Sequence, residues 1–502
     1  MRRCTLILAF STLAGMTASG QSPYRNVQVS GPNDSGFPNE PSIVINPNNT
    51  LHMLAGSNLR YYYYSTDGGL NWAGAPLTSS YGVWGDPCVV VDTNNNYYFF
   101  HLSYPAAGTP PTPGSWIDRI VCQKLTDFGS TWSDGTHTGL NGAKAQDKQW
   151  AVVDRSNNRI YVTWTQFDNY GSTNPGDISI IRFSASGDGG LTWSTPVRIN
   201  KVAGDCRDGG TTVEGAVPAI GPNGEILVAW AGPSGIVFDK SSDAGITWLE
   251  DDIFVSDVPG GWDFDIPGIY RANGLPVTAC DISPGPHRGT IYVNWSDQRN
   301  GTADTDIWLV KSTDGGATWS PRKRVNDDPP GSQQFFCWMT IDQGDGAIYI
   351  GFYDRRNYGD IRTDFYLAVS RDGGDSFVNT RISQSPFTPN QNTFFGDYTN
   401  ISAHNGVVRP IWTRLDNSTP SLWTAMVNPL PEITDIAVSN GSVRLSVRTS
   451  ASYMINVERS FNLQPAGSWT QVDTFAAMPG VTWWTEPLGS GWSKAFYRLS
   501  SY

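Results

Sequence analysis

The chain has 502 residues, of which 39% are hydrophobic, 12% aromatic and only 16% charged, with 53 Gly, 33 Pro and 20 Trp. There are enough apolar residues for a core, and the surplus of turn formers and aromatics over charges argues against a helix bundle, a coiled coil, collagen or a disordered chain. A formal charge of −12 gives no general attraction to nucleic acid or to anionic membranes.

Residues 1–20 read as a secretory signal. Arg2 and Arg3 precede an apolar run from Thr5 to Ala14, and Ala18-Ser19-Gly20 supplies small residues for cleavage. This predicts a secreted protein, extracellular or periplasmic, with no membrane span, since no later run is long and apolar enough. Of the six Cys, Cys4 leaves with the signal. The other five (Cys88, Cys122, Cys206, Cys280, Cys337) are scattered, with no zinc-ligand spacing, and read as core thiols with room for one disulfide.

From residue 26 a repeat takes over. Ser65-Thr66-Asp67-Gly68-Gly69-Leu70-Asn71-Trp72 recurs as Ser186 to Trp193, Ser241 to Trp248 and Ser312 to Trp319, with degenerate copies from Leu125 to Trp132 and from Ser370 to Phe377. The Asp residues fall at 67, 127, 188, 243, 314 and 372. A near-constant period of this size means circular or stacked units. The motif is turn chemistry: Asp accepts from nearby backbone N–H groups, Gly supplies backbone angles closed to other residues, and the aromatic ring tucks between strands. Apolar strands precede each copy. The second strands run Leu51 to Ser57, Tyr97 to Ser103, Ile160 to Thr165, Ile226 to Ala231, Ile291 to Ser296, Ile348 to Tyr353 and Val407 to Thr413. Seven such strands predict seven units, and six is the alternative if one pair is misread. The seventh unit, near 395–428, lacks the motif and a fourth strand. Asn26-Val27-Gln28-Val29-Ser30 is expected to supply that strand, beside Trp423, removing an exposed edge. After Pro429-Leu430-Pro431, residues 432–502 show short alternating strands and read as a small β-sandwich, either a spacer or a carbohydrate-binding accessory module. The expected domains are thus a signal (1–20), a β-propeller (21–428) and a C-terminal sandwich (432–502).

In this topology the starts of first strands and the ends of second strands share the face around the central channel, where ligand sites are expected. First-strand starts supply Glu40, Asp86, Asp147, Lys148, Glu214, Arg271, Asp397 and Tyr398. Second-strand ends supply Asp297, Arg299, Asp354, Arg355, Arg356 and Arg414, and Trp84, Trp150, Tyr270, Phe336 and Trp338 add aromatic faces. Such a mix of charged groups and rings suits a carbohydrate. Two readings stay open for Asp297 with Arg299 and for Asp354 with Arg356, which line the rim or pair with each other across a loop. The five His show no ligand spacing, so no metal or other cofactor is expected. Clustered carboxylates leave a structural Ca²⁺ possible, without EF-hand spacing.

Residues 26–428 resemble the Asp-box, or BNR-repeat, sialidase-like propeller superfamily, on the strength of the six motif copies. The resemblance implies an all-β propeller and a glycoside hydrolase acting on a terminal, acidic sugar. It also implies a Tyr nucleophile activated by a Glu, an Asp acid and three Arg that hold a carboxylate. By position Glu214 is similar to that Glu, Tyr398 to the Tyr and Asp86 to the acid, while Arg299, Arg355 or Arg356, and Arg414 are similar to clamp members. Glu40, Asp147, Arg271 and Asp397 complete the expected substrate contacts. The sequence departs from the family at Asn39-Glu40-Pro41-Ser42, where the family's Phe-Arg-Ile-Pro would bring an Arg. The other readings are a non-catalytic propeller that binds glycan or protein, and a polysaccharide lyase using Tyr398 as base. A monomer is expected.

Overall fold

A computed structural model describes residues 22, 24–31, 34, 38–105, 114–128, 131–427, 432–439, 441–449, 453–461, 469–477, 480–489 and 495–501. The expected signal, 1–20, lies outside the described residues. Among the described residues there is no helix long and apolar enough to cross a membrane. The chain divides into two compact units, the larger spanning Ser22–His404 and Val408–Met426.

The larger unit is built from seven four-stranded antiparallel sheets. The innermost strands are Ser42–Ile45, Cys88–Val91, Ala145–Asp154, Glu214–Ile220, Val277–Cys280, Gln334–Ile341 and Asn400–His404, which open blades 1 to 7. Each touches the next around the circle, and the last touches the first, so the sheets form a closed propeller of seven blades. The second strands follow the expected apolar runs closely, for example Ile226–Gly232 and Ile348–Asp354. Their residues are buried on both faces because each blade is covered by a neighbour on either side.

Blade 7 is completed by the other end of the chain. Asn26–Gln28 pairs antiparallel with Thr419–Ala425, placing Val27 opposite Thr424 and Gln28 opposite Trp423. The Val29 N–H donates to the Leu422 carbonyl at 2.8 Å, and the Val29 side chain joins a core with Ile43, Ala55 and Leu422. The expected partner strand is correct, with Val27 one residue from the expected neighbour. The ring joint falls between the third and fourth strands, where the other blades carry the motif, so blade 7 has no place for a continuous motif turn.

The motif turns are nearly superimposable in their bonding. In blade 1 the Ser65 hydroxyl donates to Asp67 Oδ1 (2.8 Å), which also accepts from the backbone N–H groups of Leu70 and Asn71 (3.0 Å each). The same pattern recurs at Asp188, Asp243, Asp314 and Asp372. Bonds from the Thr192 hydroxyl and N–H hold Asp188 down to about 2. The aromatic ring reaches the preceding blade: Trp193 meets Phe100, Trp248 meets Phe183 and Trp319 meets Phe238, each edge-on at 5.1–5.8 Å. Gly245 lies against the same Phe183 with φ 88°, and a Cβ there would come within 2.0 Å of the ring. The motif therefore closes a hairpin and fastens one blade to another.

Residues 432–501 form the second unit's strands. Two three-stranded sheets, Glu432–Ser439/Ser442–Thr449/Gly480–Pro487 and Thr470–Ala477/Tyr453–Ser460/Phe496–Ser501, enclose a core of Val443, Leu445, Val447, Ile455, Val457, Ala477 and Trp484. This is a β-sandwich.

Candidate functional site

One backbone feature builds the site. At the start of the innermost strand the chain takes a left-handed turn in six blades: at Glu40 (φ 49°), Asp86 (51°), Lys148 (51°), Gly215 (78°), Phe336 (50°) and Gly396 (96°). In blades 3, 4 and 6 the pairing register slips at this point, which is the mark of a β-bulge. A non-glycine residue in this region costs about 1–2 kcal/mol, so three charged residues hold their places against local strain, a pattern typical of functional positions. Gly396 has no such choice, since a Cβ would meet Glu40 at 2.8 Å.

The consequence is convergence at the axis. The Lys148 ammonium lies 2.6 Å from Asp397 Oδ2, 3.5 Å from Asp86 Oδ2 and 4.0 Å from Glu40 Oε1, joining blades 1, 2, 3 and 7 at one buried point. Arg271 donates from Nε to Asp397 Oδ1 (2.7 Å), from Nη2 to Asp397 Oδ2, and from Nη1 to Asp208 Oδ2 (3.3 Å). Asp208 in turn accepts from the Tyr170 hydroxyl at 2.5 Å. Glu40 accepts from the Asp397 N–H (3.0 Å) and from the Asn58 amide. A small cavity of about 30 Å³ adjoins the cluster, lined among others by Trp150, Trp338, Tyr398, Phe336, Lys148 and Asp397. Trp150 and Trp338 rings lie 4.3 Å apart, and Tyr398 packs against both.

Carboxyl groups outnumber cations here, and the protons follow. Burial works against the charges of Asp397 and Lys148, but their mutual attraction, with Arg271 on Asp397, holds Asp397 below the carboxylate range and Lys148 above the usual amine value. In three other acids burial and neighbouring carboxylates outweigh the pull of Lys148. Burial, then Asp86, pushes Glu40 well up. Burial, then Asp86 and Asp208, pushes Asp147 up to about 8. Burial, then Asp208, pushes Glu214 well up. Burial, then Asp86 and Glu40, raises the Tyr398 phenol. Several polar atoms here are buried without a hydrogen bond: both Glu214 carboxyl oxygens, Asp86 Oδ2, the Tyr398 hydroxyl, Asn39 Oδ1 and Gln149 Oε1. Buried polar atoms are normally satisfied, so this grouping sets the centre apart from an ordinary core.

Glu40, Asp86, Asp147, Glu214, Asp397 and Tyr398 are thus brought together, but not with all the expected relations. Tyr398 and Glu214 do not bond to each other, since neither has a hydrogen-bond partner, so the expected activation of the phenol by Glu214 has no geometric support. Arg271 lies beside a short inserted hairpin, Asp263–Phe264 with Ala272–Asn273, and not at the start of the blade 5 strand, yet it reaches the centre. The other guanidinium groups are occupied elsewhere. Arg299 bonds Asp297 (2.9 Å) and stacks on Trp308. Arg355 bonds Thr363 (3.0 Å) and the Pro267 carbonyl (2.8 Å). Arg356 bonds Asp354 (2.8 Å) and Asp327, and Arg414 bonds Asp416 (2.6 Å) and Ser385 (3.0 Å). For Asp297 with Arg299 and Asp354 with Arg356, pairing across the loop is what occurs. A three-Arg carboxylate clamp is not assembled.

Sequence reasoning missed Tyr170, Asp208 and Asn273. Asp208-Gly209-Gly210 was a readable turn signal, and Asp208 has φ 57°, but nothing local says that this turn leans onto Arg271. The five cysteines are buried free thiols. Among the described residues no group of three or more His, Cys, Asp or Glu is placed to hold a metal ion.

No family model matches the chain. It is similar to a xyloglucanase from Paenibacillus sp, 31% identical over 247 residues, which is 48% of this chain and 20% of that protein. It is also similar to a xyloglucanase from Acetivibrio thermocellus, 30% identical over 202 residues, 39% of this chain and 21% of that protein. The chain thus matches about a fifth of the length of these curated relatives. Among solved structures, a sialidase from Streptococcus pneumoniae aligns at 10% identity and a TM-score of 0.46, covering 75% of this chain and 83% of that one. An ulvan lyase aligns at 12% identity and a TM-score of 0.48, covering 82% and 94%. By its repeat, its turn bonding and its ring of seven sheets, the chain is a seven-bladed β-propeller with Asp-box turns.

Proposed function

We propose that the chain is a secreted glycoside hydrolase whose centre cleaves a glycosidic bond in an uncharged glycan. Hydrolysis of this bond needs a protonated carboxyl to deliver a proton and a second carboxyl to act as base or nucleophile. Glu214 fits the donor: burial pushes its carboxyl well above the usual carboxylate range, and both its oxygens are unbonded. Asp86, with Oδ2 unbonded and 3.5 Å from the Lys148 ammonium, fits the second role. The observation that carries the reading is the group of buried acids around Lys148, in which the Glu214 oxygens and Asp86 Oδ2 have no hydrogen bond. An acidic sugar is disfavoured, because Lys148 and Arg271 are already consumed by Asp397 and Asp208 while carboxyl groups remain in excess. The leader at 1–20 supports secretion, and the similarity to xyloglucanases supports a neutral glycan.

The test is turnover of fluorogenic glycosides and neutral polysaccharides by wild type, Glu214→Gln and Asp86→Asn. General acid catalysis contributes typically ~10²–10⁴-fold, so each variant is expected to lose at least about a hundredfold in kcat/KM. Wild-type turnover by Glu214→Gln removes that residue from the mechanism. Glycan binding without cleavage by the wild type makes the chain a binding propeller, and an absorbing unsaturated product makes it a lyase.

A further inference from the structure

Beside the acid cluster the surface carries a run of half-buried rings. Tyr104 meets Trp84 at 4.7 Å, Trp84 meets Trp116 at 5.6 Å and Trp116 meets Tyr170 at 5.8 Å, each edge-on. These rings come from loops of blades 2 and 3, so they share no local sequence reason to meet. The run is continuous with the site, because the Tyr170 hydroxyl donates to Asp208 at 2.5 Å and Asp208 accepts from Arg271 at 3.3 Å. The Arg271 guanidinium also stacks on Phe394 at 5.3 Å, and Phe394 meets Tyr270 at 5.8 Å. Tyr270 is 58% exposed. Arg271 therefore links the acids to two groups of rings.

We infer that Trp84, Tyr104, Trp116 and Tyr170 form a platform for successive units of an uncharged polysaccharide, so that the site takes the interior of a chain and not a terminal sugar. The inference rests on the proposed glycan reading and deepens it. A site for one terminal sugar needs rings only around the reacting unit, whereas a run of four rings leading away from it, with a second group at Phe394 and Tyr270, can stack further units of a chain. The platform offers faces for the apolar side of a sugar, and the orphan Oδ2 of Asp86 accepts from its hydroxyl groups.

The test is native gel electrophoresis of the full chain through gels containing xyloglucan, hydroxyethyl cellulose or galactomannan, with polygalacturonate as the anionic control. At least one neutral polymer is expected to retard the wild type and polygalacturonate none. Trp116→Ala and Trp84→Ala are each expected to weaken retardation about tenfold, as the loss of one aromatic contact implies, and Trp116→Phe to restore most of it. With oligosaccharides, the affinity lost by Trp116→Ala grows with chain length. Thermal melting of each variant separates lost binding from lost folding. The inference is overturned if no neutral polymer retards the wild type, or if folded Trp116→Ala and Trp84→Ala are retarded as strongly as the wild type. Ring-dependent retardation without turnover keeps the platform and rejects the hydrolase. Turnover of aryl glycosides without retardation does the reverse.

Discussion

Lys148 is the sharpest place to perturb the ring. Its ammonium and the Asp397 carboxylate are both buried, 2.6 Å apart. Removing one partner of a buried ion pair costs about 3–5 kcal/mol. Asp397 keeps Arg271, so the lower end, about 3 kcal/mol, applies to Lys148→Ala. The backbone adds a second and opposite effect. Lys148 has φ 51°, a conformation that glycine adopts freely, so Lys148→Gly is expected to be less destabilising than Lys148→Ala by about 1 kcal/mol. That order is the reverse of the usual one inside a strand. The pH dependence has a definite sign. The folded amine is raised above its unfolded value of about 10.4, so its contribution is complete at neutral pH and is lost only as pH rises through the folded value. Urea unfolding at pH 7, followed by tryptophan fluorescence, measures both variants. The double variant Lys148→Ala/Asp397→Asn is expected to cost less than the two single costs added, because no charge is stranded. A loss below about 1 kcal/mol for Lys148→Ala, or a glycine variant weaker than the alanine one, would refute the reasoning.

Three further outcomes follow from the same physics. Asp147 is raised to about 8 in the folded chain and titrates near 4 when unfolded, so its contribution is complete below about pH 4 and is lost as pH rises through about 8. Asp147→Asn is expected to flatten that alkaline decline in a series of urea titrations, and an unchanged slope counts against the burial of this acid. Asp188 is held down to about 2, so its turn contributes stability above about pH 4 that is lost as pH falls through about 2. Asp188→Ala is expected to lower stability at pH 7 but not at pH 2, read by thermal unfolding at the two values. Val29→Asp places a charge where the ring is joined, and is expected to cost about 3 kcal/mol or more, with a new self-associating species in size-exclusion chromatography because the Thr419–Ala425 edge is freed. A monomeric variant of unchanged stability would show that the terminal strand does not close the ring.

What the sequence by itself determined is whatever its short-range chemistry specifies. Asp188 finds its partners within four residues, Ser186 to Thr192, so the turn is legible in one window. Seven apolar runs at a steady spacing give seven blades, and a lone strand at each end of the repeat gives the ring joint between Asn26–Gln28 and Thr419–Ala425. The candidate acids and Tyr398 were legible as well, because strand order alone assigns them to one face. Only the tertiary structure decided which of them meet. Lys148 reaches Asp397 across 249 positions, and no spacing rule couples those two. For Arg299 and Arg356 the residues left open a ligand or a pairing across the loop, and both are neutralised by carboxylates on their own and adjoining loops, because the fate of a charge depends on its nearest countercharge in space. The left-handed turns at Glu40, Asp86 and Lys148 leave no mark in residue type, since glycine is the usual sign and these three are not glycine. Those turns and the closed ring together crowd the acids, and crowding and burial shift their protons.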